Sequence, residues 1–594
     1  MGRDWLTFVG LVVALAALCG AIYLAPAEAL QRATVLVDHD GSTSLIRLPV
    51  VHLFQRMAFA ASLILLALAA VACWRRAFFA ALVAAFVRDT RQFVSEATKE
   101  IRALASPENR WTLITLGLVT VAGVTLRILR LDDPIRFDEA YTFNVHASTP
   151  FFNLISDYTT PNNHVLHSVM VRCSYLLFGD SPLALRLPAL VAGILVIPAT
   201  FWWTRRLFSS TPAILACALA AGASSLIGFS ANARGYTMVT LVVIVAFSLA
   251  IGLRDKRNLF AWTLFVIVLT LGFFTVPVML YGACVVGVWL LLSADSARRW
   301  GMVLELSIAA ASVAVLTCAL YTPVAVRVGV GAIVANPFVR TLQMDVFLNG
   351  LPQLATEVLW SWAYPGALLL VLLAALGASL FASGQGGKQP RRLHIALFVT
   401  VAAIITAQRV LPYSRVLVPL FPLAYGLAGV GLTMFVDRLA HVGRLVPSRA
   451  AVVGVLALAL ALGPALMRTA SPTVFDDLSM IIAELKPILG ENDVVAVTIP
   501  LNEPLRYHAR RAQLPPGTVE ELRLRRKSLD RGEDVLFYMI EEKNPPSRIF
   551  VTFSLPRFKI DHSFLQEHFE QPEQVFETPA TRVFRMRVKP ESRL

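Results

Sequence analysis

Three stretches of the sequence hold polar residues of the kinds that do chemistry. The first and richest is RLDDPIRFDEAYTFNVHASTPFFNLISDYTTPNNHVLHS, residues 130–168. Asp138 and Glu139 are adjacent in it, so on a helix they would face different ways and take different roles; one positioned carboxylate is enough for a general base. Asp157, Asn162, Asn163, His164 and His167 follow. His164 and His167 are three apart and would be neighbours on a helix. With Asp157 they could ligate a metal, yet neither HExxH nor any other full ligand set is present, and no metal is required by this reading. The alternative is that these groups hydrogen-bond substrate or loop backbone. The second stretch, FSANARGYT (229–237), offers Arg234 and Tyr236; the third, QRVLPYSR (408–415), offers Arg409, Tyr413 and Arg415. A guanidinium binds phosphate through a planar fork of charge-assisted hydrogen bonds. The plainer alternatives are arginines that snorkel to lipid headgroups, the reading given to Arg127 and Arg130, and an acidic pair that merely starts a helix.

The elements that must position these residues are set by composition. Of 594 residues 56% are hydrophobic and 15% charged, with a mean hydropathy of +0.65, against about 45–50% and about 25% in soluble domains. Thirteen apolar segments recur at roughly 5–25, 52–73, 112–131, 186–203, 212–229, 237–253, 259–275, 277–293, 302–322, 361–382, 394–407, 416–435 and 450–467; about 20 apolar residues suffice to cross a bilayer. The expectation is a mainly α polytopic membrane protein. Its crossings are almost free of charge, which disfavours a coupled ion or proton transporter.

The net charge of +14 lies wholly in residues 1–467, while residues 468–594 are neutral. That is a topology signal rather than a basic groove, and no nucleic-acid partner is expected. With the N-terminus inside, one set of connections carries 20 Lys and Arg residues and the other nine, placing the polar loops and residues 468–594 outside. The first segment reads as an anchor rather than a cleaved signal peptide, being too long for the latter. Residues 87–104 fit an amphipathic helix lying on the inner membrane surface. The six cysteines read as small core residues without disulfides. Beyond 467, DDLSMIIAELKPIL (476–489) has helical spacing, and DVVAVTIP (493–500), RIFVTFS (548–554) and RVFRMRV (582–588) read as strands, predicting an extramembrane α/β domain. Three units result: residues 1–111, two helices and the amphipathic segment; 112–467, the membrane domain with the polar loops; and 468–594.

At FDEAYT (137–142), preceded by RILRLDDP, the sequence resembles the first-loop signature of GT-C superfamily membrane glycosyltransferases, in particular the protein O-mannosyltransferase and lipid A aminoarabinose transferase families. FGDSPLALRLPALVAGILVIPATFWWTRRLF (178–208), FSANARGYTM (229–238) and PYSRVLVPLFPL (412–422) extend the resemblance across about residues 110–435. Where the aminoarabinose transferases have Lys-Pro-Pro-Leu, this chain has PNNHVLHS (161–168), which makes His164 the candidate replacement for the lysine. Two crossings also precede the usual first one.

The resemblance implies a plasma-membrane enzyme that transfers a sugar, with inversion, from a polyprenyl-phosphate donor to a glycan, glycolipid or protein acceptor on the exterior face. Asp138 would be the base, its basicity strengthened by Glu139 and partial burial, with Asp157 orienting the acceptor or His164. Arg234, Arg415, His164, Tyr236 and Arg409 would meet the donor phosphate; Asn162, Asn163, His167, Tyr141 and Tyr413 would meet acceptor or sugar. The rival readings are a flippase for lipid-linked sugars, which needs the arginines but not Asp138, and a non-catalytic assembly subunit acting through residues 468–594.

Overall fold

The structure, a computed structural model, describes residues 2–38, 48–334, 340–362, 367–382, 388–442, 449–466, 474–490, 493–497, 499–521, 536–542, 570–579, 581–587 and 589. Where they are described, the thirteen apolar segments are helical over most of their length. Among the described residues eight helices are singly long and apolar enough to cross a membrane, a bent pair makes a ninth, and four are shorter apolar helices. An apolar run leaves the backbone no partner but itself, so the helix is the form that satisfies it in lipid. Between the third and fourth apolar segments, where the sequence gives no crossing, residues 165–178 form a further apolar helix, Val165–Phe178.

The two N-terminal helices, Gly2–Leu24 and Leu48–Trp74, pack along a seam that includes Ala16 and Ala72. Ser62 Oγ donates to the Ala16 carbonyl (2.9 Å) and Gln55 Nε2 to the Ala25 carbonyl (2.7 Å). Small residues and a few polar bonds are what join helices where lipid removes the hydrophobic drive.

The amphipathic segment belongs to one helix, Arg76–Leu104, which docks on the bundle along one side. Phe86 and Phe93 meet Phe260 edge-on at 5.5 and 5.4 Å. Buried Asp89 accepts the Leu259 N–H (2.8 Å), while Glu96 pairs with Lys256 (2.6 Å) and Glu100 with Arg206 (3.1 Å). Its acidic residues thus face the arginine-rich connections, while Val94 and Ile101 of the apolar stripe stay exposed.

At the centre lie Pro182–Leu207, Ser210–Gly222, Tyr236–Asp255 and Phe421–Val442. Buried Trp203 packs on Phe247 (5.1 Å), which packs on Trp289 (4.7 Å). Glycine permits the closest approaches: a Cβ at Gly426 would stand 2.1 Å from the Trp203 ring, and at Gly431 1.7 Å from the Ala375 carbonyl.

The helix Ser210–Gly222 breaks into Ser224–Ser230 with a bend of 58°. Arg127 satisfies the carbonyls exposed at the break. Its Nη1 donates to Ala221 (3.0 Å) and Gly123 (2.9 Å), Nη2 to Ala220 (3.2 Å), and Nε to Ser230 Oγ (3.1 Å). The headgroup reading of Arg127 therefore fails, because the guanidinium is sealed in protein and takes up helix-end carbonyls that water cannot reach. Arg130 stays at the boundary, paired with Asp133 at 2.8 Å. Of the cysteines only Cys217 is buried; Cys73, Cys173 and Cys318 are exposed on helix surfaces rather than in the core, and none is paired.

Beyond the bundle stands the small α/β domain. Strands β1 (Val494–Val497), β2 (Val519–Glu521), β3 (Leu536–Glu542), β4 (Glu573–Glu577) and β5 (Thr581–Arg587) form one sheet in the order β2-β1-β3-β5-β4. β1 runs parallel to β2 and β3, and β5 antiparallel to β3 and β4. Helix Val474–Leu485 buries Leu478, Ile481, Ile482 and Leu485 against Val495 and Val497 of β1 and Leu505 of helix Asn502–Arg511. The helix expected at 476–489 and the strands at 493–500 and 582–588 are present; the strand expected at 548–554 lies outside the described residues.

Candidate functional site

The three polar loops meet at the arginine-poor end of the bundle. The first opens with a short helix, Phe137–Tyr141, that runs into a wider π-helical stretch, Thr142–Ala147. Glu139 sits at the third position of the short helix and its Oε2 accepts the Arg136 N–H (3.2 Å), an arrangement that fixes where the helix begins.

The neighbouring carboxylates then diverge. Glu139 is 1% exposed. Its Oε1 accepts from Arg186 Nε (2.9 Å) and from the Ala233 N–H (2.9 Å), and its Oε2 also accepts from Arg186 Nη2 (2.9 Å). Arg186 spends its remaining donors on the carbonyls of Leu131 (2.6 Å), Asp133 (2.7 Å) and Pro134 (3.3 Å). A carboxylate taking four hydrogen bonds opposite a bidentate guanidinium has no lone pair to offer a substrate proton, and its charge is balanced. Glu139 is thereby withdrawn both as a base and as the negative neighbour expected to strengthen Asp138. It is a hub that ties the first loop, the fourth crossing and the second loop together.

Asp138 keeps its carboxylate open. Oδ2 lies 3.4 Å from Arg415 Nη1, with 31% of the Asp138 side chain and 40% of the Arg415 side chain exposed. Arg415 is placed by the Tyr413 ring, 4.6 Å below its guanidinium carbon. A cavity of about 340 Å³ opens beside Arg415, lined also by Glu139, Arg186, Arg136, Asn232 and Trp360 among others.

On the second loop Arg234 is buried, its carbon 5.8 Å from the Tyr236 ring centre. Its Nη1 donates to the carbonyl oxygen (2.5 Å) and to Oδ1 of Asn162, and Nη2 lies 3.2 Å from His164 Nε2. The Gly235 N–H donates to His164 Nδ1 (2.9 Å). His164 thus faces two donors, while a neutral imidazole accepts on only one nitrogen. With Nδ1 taken, Nε2 carries hydrogen toward a guanidinium, and two donors converge where an anion would relieve them. Burial holds His164 well below the usual imidazole value, with Arg234 adding to the effect. Tyr236 packs edge-on against the His164 ring at 4.9 Å.

The other residues singled out from sequence are placed less directly. Asn162 reaches back toward the Asp138 carbonyl at 3.5 Å. Asn163 is buried and spent on structure: its Nδ2 donates to the carbonyls of Leu154 (2.8 Å) and Asp157 (2.9 Å), and its Oδ1 accepts from Ser168 (2.9 Å). Asp157 closes a local turn, accepting from the N–H and hydroxyl of Thr159 at 3.0 and 2.8 Å. Tyr141 Oη accepts from Thr160 Oγ1 at 3.0 Å. His167 and a residue missed in the sequence, His146, are buried with both ring nitrogens unpartnered. Burial pushes them down to about 3 and about 4 respectively. Arg409 ends the helix Thr400–Gln408 in the left-handed region (φ 49°), where its carbonyl accepts the Leu342 N–H (2.9 Å). Among the described residues no three His, Cys, Asp or Glu side chains gather to hold a metal ion, so Asp157, His164 and His167 do not form the ligand set considered for them.

The sequence reading also missed Arg186, whose one signal was a lone arginine at the start of an otherwise apolar crossing, and the contacts from residues 502–511, which had none.

The family model described as Dolichyl-phosphate-mannose-protein mannosyltransferase matches residues 162–326, a span that begins at Asn162 and includes His164, Arg234 and Tyr236. The fold is similar to that of ArnT from Cupriavidus metallidurans in the apo state, with a TM-score of 0.53 at 14% identity over 81% of this chain and 98% of that one. For the same protein bound to undecaprenyl phosphate the TM-score is 0.52 at 14% identity, over 79% and 97%. No curated protein matches the sequence. The family match and the fold support the GT-C membrane glycosyltransferase resemblance read from the sequence.

Proposed function

We propose that this protein is an inverting glycosyltransferase that uses a polyprenyl-phosphate sugar as donor and works on the exterior face of the plasma membrane. The observation that carries the reading is the contrast at residues 138 and 139: one carboxylate is saturated, and the other is open beside the Arg415 guanidinium, itself part of a cavity wall, where the arginine-poor loops meet. Asp138 accepts the proton of an acceptor hydroxyl as its oxygen attacks the anomeric carbon. The bond from that carbon to the phosphate oxygen breaks on the opposite face, and the polyprenyl phosphate departs with the electron pair. Arg234, Arg415 and the N–H of His164 stabilise the charge that develops on the leaving phosphate, the electrostatic share of catalysis. Tyr236 and Tyr413 set the two guanidiniums, and Glu139 with Arg186 fixes the helix that carries the base. The acceptor is a glycan, glycolipid or protein hydroxyl entering beside Arg415. ArnT, whose fold this chain shares, has been captured with undecaprenyl phosphate, which supports a lipid-linked donor here.

Comparative mass spectrometry of lipids and glycans from cells carrying Asp138→Asn tests the proposal. A polyprenyl-phosphate sugar should accumulate and one glycan species should disappear. Unchanged profiles would sink the proposed base and leave the flippase reading standing.

A further inference from the structure

Helix Asn502–Arg511 of the C-terminal domain lies directly against the segment that carries Asp138. Asn144 Nδ2, in the π-helical turn that follows the Asp138 helix, donates to the Glu503 carbonyl (3.0 Å) and to Glu503 Oε2 (2.9 Å), across 359 residues of chain. Glu503 is itself held by Arg506 at 2.5 Å. Arg510 Nη1 donates to Ser148 Oγ (2.6 Å), and its guanidinium carbon stands 5.1 Å from the Phe143 ring centre. Tyr507 is fully buried, edge-on to Phe143 at 5.8 Å, and its hydroxyl donates to the Asp180 carbonyl (2.8 Å).

The composition of the cluster that receives Tyr507 gives this contact its meaning. Its members include Ile135, Ala140, Leu185 and Ala233. Ile135 precedes Arg136, whose N–H binds Glu139; Ala140 follows Glu139; Leu185 precedes Arg186; and Ala233 gives Glu139 its own N–H. Every partner of the Glu139 carboxylate is therefore backed by the apolar pocket that Tyr507 fills. We infer that Tyr507, supported by Glu503 and Arg510, is a positioning residue: the C-terminal domain completes the scaffold that fixes the Asp138 helix, and so sets turnover rather than donor binding. The inference rests on the proposed role of Asp138. Its physical basis is that a shift of about 1 Å in a reacting group costs roughly 10²-fold in rate, while an aromatic ring removed from a packed cluster leaves a void into which neighbours relax.

The full-length protein in phospholipid nanodiscs supplies the test. Membranes from cells carrying Asp138→Asn provide the accumulated lipid-linked sugar and the unmodified acceptor, and undecaprenyl phosphate serves as the binding probe. Tyr507→Ala should lower kcat about tenfold or more, with affinity for undecaprenyl phosphate held within about twofold, and Tyr507→Phe, which keeps the ring, should recover most of the loss. Wild-type kcat in Tyr507→Ala would overturn the inference, as would equal loss of kcat and lipid affinity. The half-buried bond offers a second route with little risk to folding. Asn144→Ala should lower kcat, Glu503→Ala should lower it less because the bond to the Glu503 carbonyl survives, and together they should be no worse than Asn144→Ala alone, because they share the side-chain contact. Independent, multiplying losses, or none, would contradict it. An inactive Asp138→Asn beside a fully active Tyr507→Ala would overturn the inference alone; an active Asp138→Asn would remove the reading beneath it.

Discussion

Glu139 meets Arg186 through two 2.9 Å contacts with both side chains sealed, whereas Asp138, one residue earlier, meets Arg415 through one 3.4 Å contact with about a third of each side chain open. The same two side-chain chemistries serve opposite ends. A buried, saturated ion pair can move no proton without abandoning several bonds, so it serves as a fixed point. A half-exposed pair at longer range contributes little to stability and can be parted by a substrate. On the proposed reading, the difference between scaffold and base lies in how many hydrogen bonds each carboxylate already accepts.

The contrast can be broken first at its stronger side. Glu139→Gln keeps the shape but leaves the Arg186 charge buried without compensation, and should cost about 3–5 kcal/mol of stability, read as a fall in the thermal midpoint of the purified protein. Next is Arg234→Gln. Hydrogen bonds to charged groups contribute about 1.5–3 kcal/mol, so affinity for undecaprenyl phosphate should fall by roughly 10–100-fold. A pH effect follows from His146 and His167, which burial holds neutral down to about 4 and about 3. Below about pH 6.5 the unfolded chain takes up protons that the folded chain refuses. Stability should therefore be full above that pH and decline as pH falls through the window from 6.5 toward 4 and 3. Thermal melts between pH 7.5 and 4.5 measure the slope, and replacing both histidines with phenylalanine should make it shallower, the remainder coming from His164 and His508. The smallest effect is expected at the open pair: Arg415→Gln should change stability by about 1 kcal/mol or less while still slowing transfer, as parallel melts and turnover assays would show.

Much of this was legible in the sequence, because its strongest signals are one-dimensional. Apolar runs fixed thirteen helices, and the unequal arginine content of the connections separated two ends that contacts such as Glu96–Lys256 and Asp138–Arg415 keep apart. The three polar stretches stood out because they lie between apolar runs, and adjacency alone argued that Asp138 and Glu139 would face differently. The sequence could not say which of them would be saturated, since the partners of Glu139 lie on residues 136, 186 and 233. Arg186 was hidden at the edge of an apolar segment, and Arg127 looked like any arginine at a crossing's end until the broken helix beside it supplied carbonyls. The contact of Tyr507 with the Glu139 cluster joins elements more than 300 residues apart and leaves no local pattern to read.

The central claim is that Asp138 alone of the adjacent pair moves the proton. Single-turnover transfer by Asp138→Asn, with the donor already bound, tests it most directly. The account predicts a rate lower by about 10²–10⁴-fold, with the thermal midpoint and undecaprenyl phosphate affinity close to those of the unaltered protein. A rate within about tenfold of the unaltered protein, below the range general-base catalysis supplies, would contradict it.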